Sequence, residues 1–123
     1  MSDAARTLAG ARALVVDAHG APIGSEADAL ELISAAYDAE AELVFIPIGR
    51  LRTDFLDLRT RVAGLFVQKL VNYGHRIVFV GDILHDVAAS TSLGDFVREC
   101  NRGTSIWFVP DLTVLEARLT AAV

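Results

Sequence analysis

Apolar residues along this chain fall into two alternating patterns. Some form short unbroken runs; others recur every three or four positions over longer stretches. The run "ARALVVDA", rich in β-branched residues and bounded by Gly10 and the turn "HGAPIG", reads as a strand. Ala4 to Leu8 precede it and predict a weak hairpin partner across Gly10. Ser25 has the chemistry of an N-cap, with Glu26 and Asp28 in the first turn, where the helix dipole favours acids. Ala29, Leu30, Ile33 and Tyr37 follow at helical spacing, so a helix is expected from Glu26 to about Asp38. "ELVFIPI" is a second strand, apolar on both faces and therefore central in a parallel or mixed sheet. Pro47 belongs at its end, since it cannot donate to the ladder. A helix from about Leu58 or Thr60 to Tyr73 is stopped by Gly74. "RIVFVGD" predicts a strand from Arg76 to Gly81, followed by a polar loop through His85 and a helix from about Ser92 to Cys100. "NRG" breaks that helix, "TSIWFV" is the next strand, and a last helix starts near Thr113.

Strands alternating with helices at this spacing define an α/β fold. A two- or three-layer sandwich is expected, with a mostly parallel, mixed sheet of four to five strands and about four helices. "ELVFIP" and "RIVFVG" should lie side by side at its centre. No repeat, linker or low-complexity tract interrupts residues 1–123, which read as one domain. A hydrophobic fraction of 53% with 22% charged residues describes a compact globule. The net charge of −5, with no basic run beyond a local arginine cluster, argues against nucleic acid as a partner. No apolar run approaches the roughly 18 residues of a membrane span, and "MSDAARTLAG" lacks the basic and apolar regions of a signal peptide. One cysteine excludes an internal disulfide and fits a reducing compartment. A cytoplasmic location without membrane association is expected.

Motifs that name a reaction are missing. There is no G-x-x-x-x-G-K-[ST] loop and no G-x-S-x-G elbow, and "HGAPIG" fails G-x-G-x-x-G in spacing and context. Cys100, near the end of a helix, reads as a small buried residue rather than a nucleophile. His19, His75 and His85 are scattered without ligand spacing; His85 beside Asp86, four residues after Asp82, is the best metal candidate but reads better as a solvated loop. No metal, cofactor or catalytic residue is therefore assigned. Asp17 and Asp82 each follow an apolar run at the carboxyl edge of a strand, where open α/β sheets bind ligands; aspartates there also make Asx-turns.

The densest chemistry is a charged collar. Arg50, Arg52, Arg59 and Arg61 bracket Asp54 and Asp57 at the mouth of an apolar helix. Such charges can neutralise one another at the surface. Alternatively, Thr60 at the helix start, where free N–H groups attract an anion, and arginine forks beside it could hold a carboxylate or phosphate. Asp54 or Asp57 is expected to accept hydrogen bonds from Arg50, Arg52 or Arg59, or from the helix-start N–H groups. Val62, Ala63, Leu65, Phe66, Val67, Leu70 and Val71 cover most of the helix circumference, leaving a thin strip at Arg61, Gln68 and Asn72. A helix apolar nearly all round is buried on more than one side, by its own chain or by a partner. Gly64 would admit another backbone closely.

The blocks "DFLDLRTRVAGLFVQKLVNYGHRIVFVGD" and "LGDFVRECNRGTSIWFV" resemble the bacterial DUF4180 family, a domain of unknown function. That pattern reads F-F-D-L-x-T-G-x-A-G-x-x-x-Q-K-x-x-N-Y, a strand ending V-G-D, then D-F-x-x-E-S-N-x-G and an aromatic strand. The chain matches at Phe55 or its neighbour, Asp57, Leu58, Thr60, Ala63, Gly64, Gln68, Lys69, Asn72, Tyr73, Gly81, Asp82, Asp95, Phe96, Glu99, Asn101 and Gly103. It departs at Arg61, where the family usually has Gly, and at Cys100, where Ser is usual. More remotely, the order of elements is similar to the STAS fold of anti-sigma-factor antagonists, in which a D-S-S-G turn carries a regulatory phosphoserine. "DLRT" stands in the comparable place, and the likeness implies a phospho-switch at Thr60.

Two functions are carried forward. The first is a small regulatory or scaffold module binding a protein partner, or itself as a homodimer, through Arg50, Arg52, Asp54, Asp57, Arg59, Thr60, Arg61 and the helix to Tyr73, with Asp82 nearby. The second is a small-molecule-binding or enzymatic domain, for an anionic small molecule among others, at the sheet edge near Asp17, Asp54, Asp57 and Asp82.

Overall fold

The computed structural model describes residues 3–121. The chain runs β1 (Ala4–Leu8), β2 (Ala11–Val15), α1 (Glu26–Asp38), β3 (Leu43–Pro47), α2 (Val62–Asn72), β4 (Arg76–Val80), α3 (Leu84–Ala89), α4 (Thr91–Arg102), β5 (Ile106–Val109) and α5 (Leu112–Ala121). Single 3-10 turns at Ile48–Arg50 and Leu58–Thr60 bracket the collar. β1 and β2 make the hairpin predicted across Gly10, through a turn in which Ala9 and Gly10 both have positive φ (47° and 87°). That handedness matches the twist of the paired strands.

The strands lie in sequence order, β1-β2-β3-β4-β5, with β1 antiparallel and the other pairs parallel. The expected α/β class, with a mixed five-stranded sheet, is what the chain adopts. β3 and β4 are neighbours at the centre, with Val44 opposite Ile77 and Ile46 opposite Phe79. Their two-sided apolar character follows, since Leu43, Val44, Ile46, Ile77, Val78 and Phe79 are all buried.

Each crossover from β2 to β5 advances the strand order in one direction. Crossovers of one hand then place their helices on one face of the sheet. α1 and α2 accordingly pack there with Phe96, Val97 and Cys100 of α4. α5 follows the last strand and is free of that constraint; its Leu115 and Leu119 cover Leu43, Val78 and Trp107 on the opposite face. A chain of phenylalanines crosses the first layer. Phe66 meets Phe55 edge-on at 5.4 Å, Phe55 meets Phe79 at 5.5 Å, Phe79 stacks on Phe108 at 4.8 Å, and Phe108 meets Phe96 at 6.1 Å. At the far edge, the Asn101 side chain accepts from the Phe108 N–H (2.7 Å) and donates to its carbonyl (3.2 Å), closing part of the open edge of β5. Trp107 donates to the Gly103 carbonyl and lies under the guanidinium groups of Arg76 and Arg118, at 4.6 and 4.1 Å from its ring.

Three expectations need correction. The polar loop through His85 is in fact α3, started by the Asp82 carboxylate, which accepts the Leu84 N–H at 2.9 Å. α4, expected from about Ser92 to Cys100, begins at Thr91, where Ser90 caps it by accepting the Leu93 N–H, and runs past Cys100 to Arg102. α2 starts at Val62 rather than Leu58 or Thr60, since the 3-10 turn ends at Arg61 in a left-handed conformation (φ 62°, ψ 5°) that no α-helix accommodates.

Candidate functional site

The collar hangs from β3 and is anchored from within. Beyond Pro47 the chain makes a 3-10 turn, then bridges in parallel to the loop before α1 through Ile23 and Leu51. Ile23 N–H donates to the Arg50 carbonyl (2.8 Å) and Arg52 N–H to the Ile23 carbonyl (2.9 Å). Phe55, fully buried, then plugs the loop into the aromatic chain of the core.

Each charged residue has a separate task. Arg50 turns away from the helix mouth and donates to the carbonyls of Asp17 (2.7 Å), His19 (3.2 Å) and Ala21 (3.0 Å), tying down the β2–α1 loop. Gly20 makes room for it: a Cβ there would stand 2.8 Å from the Arg50 guanidinium carbon. Arg52 pairs with Asp54 at 2.9 Å. The other Asp54 oxygen, Oδ1, is buried and has no partner among the described residues. Asp57 holds Arg59 bidentately, at 2.9 and 2.8 Å, and also accepts the Arg59 N–H. The Arg59 side chain followed by its N–H holds the Asp57 carboxyl below its ordinary pKa. Thr60 donates to the Asp57 carbonyl (2.8 Å) and accepts the Val62 N–H (3.2 Å), so it caps α2 from two residues upstream and occupies one of the N–H groups expected to attract an anion. Arg61 is exposed; its N–H donates to the Leu58 carbonyl (3.2 Å), but its side chain makes no hydrogen bond or ion pair with the described residues.

Asp28 closes the N-terminus of α1 in a reciprocal cap with Ser25. Partial burial opposes its charge, but the N–H groups of Gly24 and Ser25, then the Ser25 hydroxyl and the Arg52 charge, together hold its pKa below the ordinary value. For Asp28 and Asp57 the folded pKa is the lower one. The stability they contribute is present above the ordinary carboxylate range and is lost as pH falls through their folded values.

The four aspartates of the second functional reading do not converge. Asp17 accepts the His19 N–H in an Asx-turn (2.8 Å), Asp54 and Asp57 serve arginines of their own loop, and Asp82 starts α3. Two residues the spacing did not connect to the collar do meet it. His85 and Asp86 of α3, with Ser90 just after it, line an open cleft of about 860 Å³ together with Asp57 and Arg59. Nothing in local sequence announces this, because the adjacency of β3 and β4 creates it. Among the described residues, no three His, Cys, Asp or Glu side chains cluster as metal ligands would, and no helix is long and apolar enough to cross a membrane.

α2 buries Ala63, Phe66, Val67 and Leu70 and leaves Arg61, Gly64, Leu65, Gln68 and Asn72 outside. Leu65 is 51% exposed and Tyr73, just past the helix, 59%. Gln68 and Asn72 hydrogen-bond each other at 2.7 Å. A Cβ on Gly64 would touch nothing, so the close backbone approach expected there is not made within this chain.

Arg61 yields a direct test of how its backbone is held. A non-glycine residue at φ 62° is strained by about 1 kcal/mol. Arg61→Gly is expected to raise stability by up to about that amount, read as a shift of the urea midpoint. An unchanged or lower midpoint would mean that the arginine side chain offsets the strain.

A five-stranded mixed sheet with its crossover helices on one face and a charged, aromatic-anchored loop before α2 defines an α/β domain of single-sheet type. The family described as Domain of unknown function (DUF4180) matches residues 8–119, and the chain belongs to it. Neither the curated proteins nor the solved structures contain a match.

Proposed function

We propose that the chain is a small regulatory or scaffold module, STAS-like in its order of elements, that binds a protein partner or a second copy of itself through the Arg50–Tyr73 region. The observation that carries this reading is the outward stripe of α2, where Leu65, Gly64 and the paired amides of Gln68 and Asn72 lie open between Arg61 and Tyr73. Core packing accounts for Phe55, Ala63 and Gly81 in the family resemblance. It does not account for Gly64, Gln68, Asn72 and Tyr73, which are all exposed and open to contact with a partner. The paired charges of the collar leave Arg61 to meet an acidic group on the partner. Thr60 is the regulatory position in this reading: a phosphate there would displace its bonds to Asp57 and Val62 and lie beside Arg61.

The cleft favours the second reading, a small-molecule site, with Arg59 and His85 as candidate anion contacts. Arg59 is already neutralised by Asp57, which weakens it.

A photocrosslinking residue in place of Leu65, with the same residue in place of Glu116 on α5 as control, separates the two readings in living cells. The module predicts one discrete adduct from position 65 only, of doubled mass for a second copy or of another fixed mass for a partner. No adduct, together with a monomer in sedimentation at high micromolar concentration, would remove the reading.

A further inference from the structure

The carboxyl ends of β4 and β5 hold a second feature, separate from the collar. There we infer that a hollow of about 500 Å³ binds a small amphiphilic amine, with its hydrocarbon part inside and its ammonium group on Asp82. The size suits a small-molecule site, and its place is where open parallel sheets take ligands. Its walls are apolar: Leu84 and Val87 of α3, Val97 of α4, and Phe108 and Val109 of β5. Among the described residues no arginine, lysine or histidine lines it, and Asp82 is the one charged residue that does.

The space exists because α3 does not fill it. α3 buries none of its residues and packs chiefly against α4, where Gly94 lets Val87 approach closely. Leu84 stays 77% exposed instead of closing the hollow, and Gly81 at the strand end has no side chain to offer. The apolar wall therefore gains from any hydrocarbon that displaces water. Asp82 selects among such hydrocarbons. Its Oδ1 takes the Leu84 N–H, and its Oδ2 has no partner among the described residues and can accept from a cationic head. The same carboxylate, on a chain of net charge −5, repels fatty acids and other anionic amphiphiles.

The test is an NMR titration of the whole chain, following backbone amides, with hexylammonium, hexanol and hexanoate as probes. Hexylammonium should produce saturable shifts at Gly81, Leu84, Val87, Val97 and Val109. Hexanol should move the same amides with roughly tenfold weaker affinity, for want of a charge-assisted bond, and hexanoate should move none. Asp82→Asn keeps an acceptor for the Leu84 N–H and should bring hexylammonium down to the hexanol level; Val97→Phe should fill the hollow and abolish both. If Val97→Phe disturbs the fold, the wild-type comparison of the three probes still decides. Non-saturating amine shifts spread over the acidic surface, or equal binding of all three probes, would overturn the inference. Shifts of these amides that grow with protein concentration alone would assign the hollow to a second copy of the chain, and would overturn it equally.

Discussion

Phe55→Ala should lower the stability of the domain by about 3–5 kcal/mol, the usual cost of removing a fully buried phenylalanine. The ring is the one fully buried side chain of the loop, touching Phe66 of α2 on one side and Phe79 of β4 on the other, while Leu51, Leu56 and Leu58 pack against the same core only in part. Its loss opens a cavity between two elements that cannot both move in to fill it, because β4 is held in register between β3 and β5. The effect should therefore sit near the upper end of the range. It should also be directional, with hydrogen exchange accelerating over residues 50–61 before it does so in β3 or β4. Arg59→Ala removes only an exposed ion pair and should leave the urea midpoint nearly unchanged. Should Arg59→Ala melt as early as Phe55→Ala, the charges rather than the ring would be what holds the loop.

That contrast follows what sequence could and could not reveal. The start of α1 was legible to the residue, because Ser25 and Asp28 cap each other across three positions and the whole signal is local. The central pair β3 and β4 was legible because burial on both faces leaves an unbroken apolar run. α3 was not, since six residues in which Leu84 and Val87 are the only large apolar side chains, beside Ala88 and Ala89, are too short to carry a period. Its start is set by one Asp82 oxygen, which in sequence is indistinguishable from a loop aspartate.

The collar was legible as a cluster of charges but not as a division of labour. The pairing of Asp57 with Arg59 lies within three residues and could be anticipated. The turning of Arg50 toward Asp17, His19 and Ala21 could not, because backbone carbonyls carry no residue signature and the parallel bridge of Ile23 to Leu51 brings them there. Arg61 is the opposite case. The resemblance already marked it as a departure from glycine, and the left-handed φ gives the physical reason a glycine suits that position.

Glycines also provide the sharpest remaining test, because two of them should respond with opposite signs. Gly81→Ala is expected to destabilise by roughly 2–5 kcal/mol, from a φ of +152° that only glycine adopts freely and from overpacking. The overpacking is specific: the new Cβ would lie 2.8 Å from the Cβ of Ile48 and 2.9 Å from its Cγ1, in a turn whose next members are Gly49 and Arg50. Retreat of β4 is opposed by the Gly81 N–H bond to Val109 (2.9 Å), so Ile48 must yield. The displacement should then reach the carbonyls that Arg50 holds, and amides of residues 17–21 should lose protection together with those near Ile48. Gly64→Ala sits in the interior of α2, facing open space, and should stabilise by about 0.5–1 kcal/mol through helix propensity alone. Thermal melts of the two variants beside wild type read both signs at once. A Gly81→Ala protein that melts with wild type would mean that Ile48 is not fixed against the end of β4, and the coupling between strand, turn and loop would fall with it.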